Sequence, residues 1–285
     1  MKVLGWEPLG SVPAQRLAEA RLTLHHAVQL VAAVGRSLVP ARPDDGHTSL
    51  EWRSPAHAFA GQEVPGSRPW RAVLGADDLS LAVFAEETEL GRLALAGVTV
   101  REAFSWLVEQ ARGLGAPAER LNLETPYTLP AHGVGAGAAL AAPSDGSLVE
   151  VARWFANADG LLRGVAEGWA GSAPVRVWPH HFDVGSVLPL GPAAGESAPS
   201  IGVGLSPGDE GIAEPYFYVT PWPVREPLPA LPAGGRWHRA GWTGGILTGS
   251  EVVAAGGGEA QAAAASAFLS GTVEALRAGA SAAQP

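Results

Sequence analysis

Cysteine is absent from all 285 residues of this chain, which removes disulfides, thiolate metal sites and a cysteine nucleophile together. The redox compartment stays open. Lysine is almost absent as well: Lys2 is the only one, basic charge is carried by arginine, and no window gathers a basic stripe able to neutralise phosphates. With a formal net charge of −9, nucleic acid is not an expected partner. Long hydrophobic runs are missing too. No stretch reaches the roughly 18 uninterrupted apolar residues of a membrane span, and the opening MKVLGWEPLG has no apolar signal core. A soluble, cytoplasmic protein without a membrane partner is expected. The chain also lacks GxSxG, HExxH, an EF-hand loop and GxGxxG. What remains is a 47% hydrophobic chain, long enough for a large core. Its heavy use of Ala, Gly and Pro points to a GC-rich genome rather than to a function.

Periodicity organises the chain into helix, sheet and helix, twice. Ser11 to Val39 carries apolar residues at helical spacing, closed by Pro40 and Pro43. From Thr48 to Leu95 the period shortens, and SLEW, RPWRAVL, LSLAVFAEE and GRLALAG read as strands. Val98 to Gly113 is a helix, with Thr99 and Glu102 placed as a capping box. Ala116 to Gly146 is rich in Pro and Gly and reads as a connecting loop. Beyond it, a helix from Leu148 to Trp169 precedes strands at VRVW, SIGVGLS, PYFYVTPW and GGILTG, then a helix from Glu259 to Ala278, and the tail AGASAAQP is expected to fray. The expected fold class is therefore α+β with mainly antiparallel sheet. Residues 1–115 and 148–285 are expected to be two helix-sheet-helix halves of one compact unit joined by the 116–147 loop, an element order that suggests a pseudo-duplicated architecture.

The stretch VRVWPHHFDVG, Val175 to Gly185, puts two histidines and an aspartate into an otherwise apolar strand. If it is extended throughout, His181 and Asp183 share one face and Trp178, His180 and Phe182 the other, although Pro179 can introduce a bulge that swaps them. Asp183 could orient His181 for acid-base work, the two could bind a metal, or they could form a buried hydrogen-bonded pair. His238 lies 55 residues beyond Asp183, the order of a two-histidine, one-carboxylate facial triad. His181, Asp183 and His238 are the expected ligands if the cofactor is a divalent metal such as Fe, Zn or Mn. In the first helix, His25 and Gln29 lie one turn apart, with Arg36 two turns further on, so a polar stripe runs along a mostly apolar helix and needs partners. Those partners are either a bound ligand or backbone groups. The strand PYFYVTPWP alternates so that Tyr216, Tyr218, Thr220 and Trp222 share a face, as a pocket wall or as ordinary sheet packing. GVGLSPGDEG reads as a Pro-Gly turn at Ser206 to Asp209 rather than a phosphate loop.

Five segments taken together, TLHHAVQ, the His47 region with GQEVPG, PVRVWPHHFD, VGLSPGD and PYFYVTPWP, resemble an uncharacterised bacterial family known only as a domain of unknown function. His25, Gln29, Phe182, Asp183, Pro207, Gly208 and Asp209 correspond to that family's pattern, and its Gly-Lys pair after the glutamine is Ala32-Ala33 here. The resemblance implies a shared site for His25, Gln29 and Asp183 and carries no activity. The leading expectation is a small-molecule enzyme, metal-assisted or not, with His25, Gln29, His181 and Asp183 as catalytic residues and Trp178, Tyr216, Tyr218 and Trp222 lining a ligand pocket. The alternatives are a non-catalytic protein that binds a small ligand, and a structural or oligomerising protein with these residues in buried hydrogen bonds.

Overall fold

The computed structural model describes residues 5–191, 198–231 and 234–282, which divide into two compact units. One unit comprises Arg16–Ala152 and Arg176–Phe182; the other comprises Met1–Gln15, Arg153–Val175 and Asp183–Pro285. The division falls inside a helix, and the irregular stretch from Ala116 to Gly146 lies wholly within the first unit. As the alternating periods require, the chain is α+β, with two antiparallel sheets. No helix among the described residues is long and apolar enough to cross a membrane.

The first unit is built on helix α1 (Ala18–Leu38), which is buried on almost every side. Leu24, Ala27, Val28, Leu30, Val31 and Val34 are buried all around it, and His25 and Gln29 are buried with them, so the helix serves as a core element. It packs on a five-stranded meander of β1 (Glu51–Arg53), β2 (Ala58–Ala60), β3 (Arg71–Gly75), β4 (Ser80–Ala85) and β5 (Thr88–Ala94), ordered as in the sequence. Helix α2 (Val100–Gly113) starts at the expected capping box: Thr99 Oγ1 accepts from Glu102 N at 3.2 Å, and the Glu102 carboxylate accepts from Thr99 N at 2.8 Å. Strand β6 (Arg176–Trp178) returns to this unit, where Val177 and Leu50 exchange backbone hydrogen bonds of 2.8 and 2.9 Å. Helix α3 (Ser147–Glu167) begins here and continues into the other unit.

The second unit contains five strands, β7 (Asp183–Pro189), β8 (Ser200–Ser206), β9 (Tyr216–Trp222), β10 (Arg236–His238) and β11 (Gly244–Thr248), in the order β10-β11-β9-β8-β7. Short helix α4 (Gly249–Ala254) follows, and the long α5 (Gly258–Ala282) packs on β9, β8 and β11. Helix α5 thus includes most of the tail expected to fray, and residues 283–285 lie outside the described residues. The chain's start is tied to α5 by Gln261, whose Oε1 accepts from Leu9 N at 2.9 Å while its Nε2 donates to Leu9 O at 2.9 Å. Strand β10 forms where the sequence reads as a Gly-rich turn, because Arg236, Trp237 and His238 pair with Ile246, Gly245 and Gly244.

Candidate functional site

The polar stripe of α1 finds its partners inside the first unit. His25 Nε2 lies 3.0 Å from the Pro179 carbonyl oxygen, and Gln29 Nε2 donates to the same oxygen at 2.7 Å. A carbonyl only accepts, so His25 carries its proton on Nε2. His25 is 2% exposed and stacks on Phe182 with ring centroids 5.3 Å apart. Burial pushes its pKa down to about 4, against the partial support of the Pro179 hydrogen bond, with repulsion from His26, Arg21 and His181 adding to the lowering. The imidazole is therefore neutral at neutral pH. Gln29 Oε1 accepts from the Tyr127 hydroxyl at 2.9 Å, and the Tyr127 oxygen accepts from Arg36 Nη1 at 3.3 Å.

What His25 and Gln29 hold is a tight turn, which corrects the expectation of continuous strand through VRVWPHHFDVG. Residues 179–182 turn between β6 and β7. Phe182 N donates to Trp178 O at 2.8 Å, and Phe182 itself takes a left-handed backbone at φ 56°. Pro179 has no N–H to offer a neighbouring strand, so its free carbonyl is turned to α1. The two-face alternation expected for this stretch is lost. His181 is exposed, His180 packs beside Trp178 and Tyr127 at ring distances of 6.0 and 5.8 Å, and Phe182 is fully buried.

Asp183 opens β7 in the second unit, and its partner there comes from β9. Gly185, Gly204 and Tyr218 sit in one cross-strand row, since Gly185 pairs with Gly204 and Gly204 with Tyr218. The Tyr218 ring lies flat along that row, and its hydroxyl donates to Asp183 Oδ2 at 2.5 Å. Glycines are required beneath it: a Cβ on Gly204 would stand 2.3 Å from the Tyr218 hydroxyl, and one on Gly185 2.8 Å from it. Dense surroundings, then the Asp183 carboxylate, push the Tyr218 phenol far above its ordinary pKa even though its ring keeps some exposed area. Tyr216 is held in the same way, donating to Asp209 Oδ2 at 2.5 Å, while Asp209 Oδ1 accepts from Gly211 N and Ile212 N and so pins the Pro-Gly turn. The expected pocket face of β9 is thus divided. Tyr216 and Tyr218 are engaged with carboxylates, and Trp222 at the strand's end is 55% exposed.

The expected metal triad is not assembled. Among the described residues no group of three or more His, Asp or Glu side chains is placed to hold a metal ion. The reason is topological for His238 and Asp183: they lie on β10 and β7, four strand spacings apart in the sheet. His238 instead stacks on Trp242 at 4.6 Å, with its Nε2 2.8 Å from Ala240 O.

Beside Trp222 the second unit opens a pocket of about 400 Å³. Its walls include Trp222, Pro221, Pro223, Pro227, Pro229 and, from α5, Leu276, with Arg225 and Glu226 at the same site. Glu226 is already engaged, accepting from Arg239 Nη1 at 2.6 Å and from Leu228 N at 3.0 Å. Sequence reasoning reached Trp222 and Pro223 through the strand PYFYVTPWP and missed Pro227 and Pro229 after it. The density of proline in PWPVREPLP was the available signal. Comparison with family models, with curated proteins and with solved structures returned no match.

Proposed function

We propose that this protein is a binding protein for a small, ring-bearing molecule, which stacks on Trp222 in the proline-walled pocket of the second unit. One observation carries this reading: an exposed tryptophan, 55% accessible, forms a wall of an apolar pocket of about 400 Å³. That volume is within the range of about 300–1,000 Å³ typical of ligand sites. Prolines and tryptophan have few rotatable bonds, so the pocket surrenders little conformational entropy when it fills. The indole face suits an aromatic ring or the apolar face of a sugar.

A catalytic role for His25, Gln29, His181 and Asp183 has less support. His25 and Gln29 are committed to the Pro179 carbonyl, and Asp183 accepts from Tyr218. The sequence resemblance to a family of unknown function agrees with this reading only in organisation. A cytoplasmic location belongs to the same proposal and rests on composition.

The test is a thermal-shift series with uncharged probes, indole, p-cresol and methyl β-glucoside, on the wild type and on Trp222→Ala. A binding probe raises Tm in a saturable way, because it stabilises the folded state by RT ln(1 + [L]/Kd). The expected result is a rise with at least one probe that is absent in Trp222→Ala. Equal rises in both proteins, or none with any probe, would overturn the proposal.

A further inference from the structure

Arg36 is a half-buried cation whose hydrogen-bond chain contains no anion. Its Nη1 donates to Tyr127, Tyr127 donates to Gln29, and Gln29 donates to Pro179 O and His25 O. Every proton in this chain points away from the guanidinium. Tyr127 therefore offers Arg36 a lone pair and no charge, and burial raises the phenol's pKa, which keeps it neutral. Arg36 Nη2 is buried with no hydrogen-bond partner, and no carboxylate among the described residues pairs with it.

The position of Arg36 in the last turn of α1 compensates little. The C-terminal end of a helix presents only about half a negative charge, spread over its last carbonyl groups. Removal from water is the largest influence on the guanidinium and lowers its pKa. A desolvated cation with an unused N–H group ordinarily has a partner.

The neighbourhood says what kind of partner fits. The Tyr127 ring packs 5.8 Å from His180, and His180 packs 6.0 Å from Trp178, so two more aromatic rings continue from the Arg36–Tyr127 pair. One positive charge and one unused planar N–H group suit a monoanion with a planar head, whereas a phosphate dianion calls for more donors and more charge. We infer that Arg36 and Tyr127 form the polar end of a second binding site, for a small monocarboxylate whose apolar or aromatic body packs along Tyr127, His180 and Trp178. This site is distinct from the Trp222 pocket, lies in the other unit and does not depend on that proposal.

The experiment titrates benzoate into the full chain and follows the backbone amide and arginine side-chain resonances, with sodium chloride at equal ionic strength as control and inorganic phosphate as competitor. Wild type, Arg36→Met, Arg36→Lys and Tyr127→Phe are compared. Saturable benzoate shifts around Arg36 and Tyr127 are expected. Affinity should fall at least tenfold in Arg36→Met and several-fold in Arg36→Lys, which keeps the charge and loses the planar fork. If Arg36→Met does not fold, the Arg36→Lys and wild-type titrations decide the matter. A purely structural Arg36 would change Tm in the variants and leave benzoate binding as in the wild type, which overturns the inference. Shifts no larger than those of sodium chloride also overturn it, and phosphate binding more tightly than benzoate refutes the carboxylate assignment.

Discussion

Acidification should loosen the first unit through His25, and the size of the effect follows from its surroundings. In the unfolded chain this imidazole titrates near 6.5, whereas in the folded protein burial holds it at about 4. Between those values the unfolded state binds the proton and the folded state does not, so protonation pulls the equilibrium toward unfolding. The contribution is present in full above about pH 6.5 and is lost progressively as the pH falls to about 4. At 1.36 kcal/mol per pH unit the whole interval corresponds to about 3 kcal/mol, of which about 2 kcal/mol is lost between about pH 7 and pH 5. His26, also lowered by burial, adds an acid sensitivity of the same sign. To isolate His25, urea unfolding of the wild type is compared with that of His25→Gln across this range. Glutamine can still donate to the Pro179 oxygen and has no proton to gain, while His26 titrates alike in the two proteins and cancels. The stability difference between wild type and variant should shift by about 2 kcal/mol in the variant's favour by about pH 5. A difference that stays constant with pH would refute the assignment of His25 as a buried neutral imidazole.

Two further outcomes concern the row beneath Tyr218. Tyr218→Phe removes a donor from Asp183 Oδ2 and should cost about 1–3 kcal/mol in urea unfolding, the loss of a part-buried hydrogen bond to a carboxylate. Gly204→Ala should cost about 3 kcal/mol or more, because its Cβ would meet the Tyr218 ring at 2.4 Å and the Val184 carbonyl at 2.6 Å, and backbone cannot swing away. A near-neutral result for Gly204→Ala would mean that the Tyr218 ring does not lie across β8.

The parts legible in the sequence are those fixed by neighbours within a turn or two. Helix α2 announces itself through Thr99 and Glu102, which bond each other across one helical turn. The stripe of His25, Gln29 and Arg36 announces that partners are needed, since all three fall on one face of an apolar helix. Who the partners are is a long-range matter. Pro179 is 150 residues from Gln29, and Tyr127 is 98 residues away in a Pro/Gly-rich segment whose local pattern carries no sign of it. Strand β10 is hidden for the same reason: RWH lacks strand periodicity and pairs only because β11 supplies an edge. The spacing of His181, Asp183 and His238 suggested a metal triad, yet spacing along the chain says nothing about strand order, and the sheet order sets β10 far from β7. In WPHHFD the proline was the warning, because a residue without an N–H interrupts a ladder, and there the chain turns at Phe182.

The most direct measurement on the central claim follows the indole N–H resonance of Trp222, assigned by its loss in Trp222→Ala, while uncharged indole is added to the labelled protein. Binding at the pocket predicts saturable movement of that resonance, with Kd on the order of millimolar for so small a probe. Contacts from the bound probe should map to Pro221, Pro223 and Leu276. A Trp222 resonance that stays in place as the indole concentration rises, or probe contacts found only elsewhere on the protein, would contradict the account.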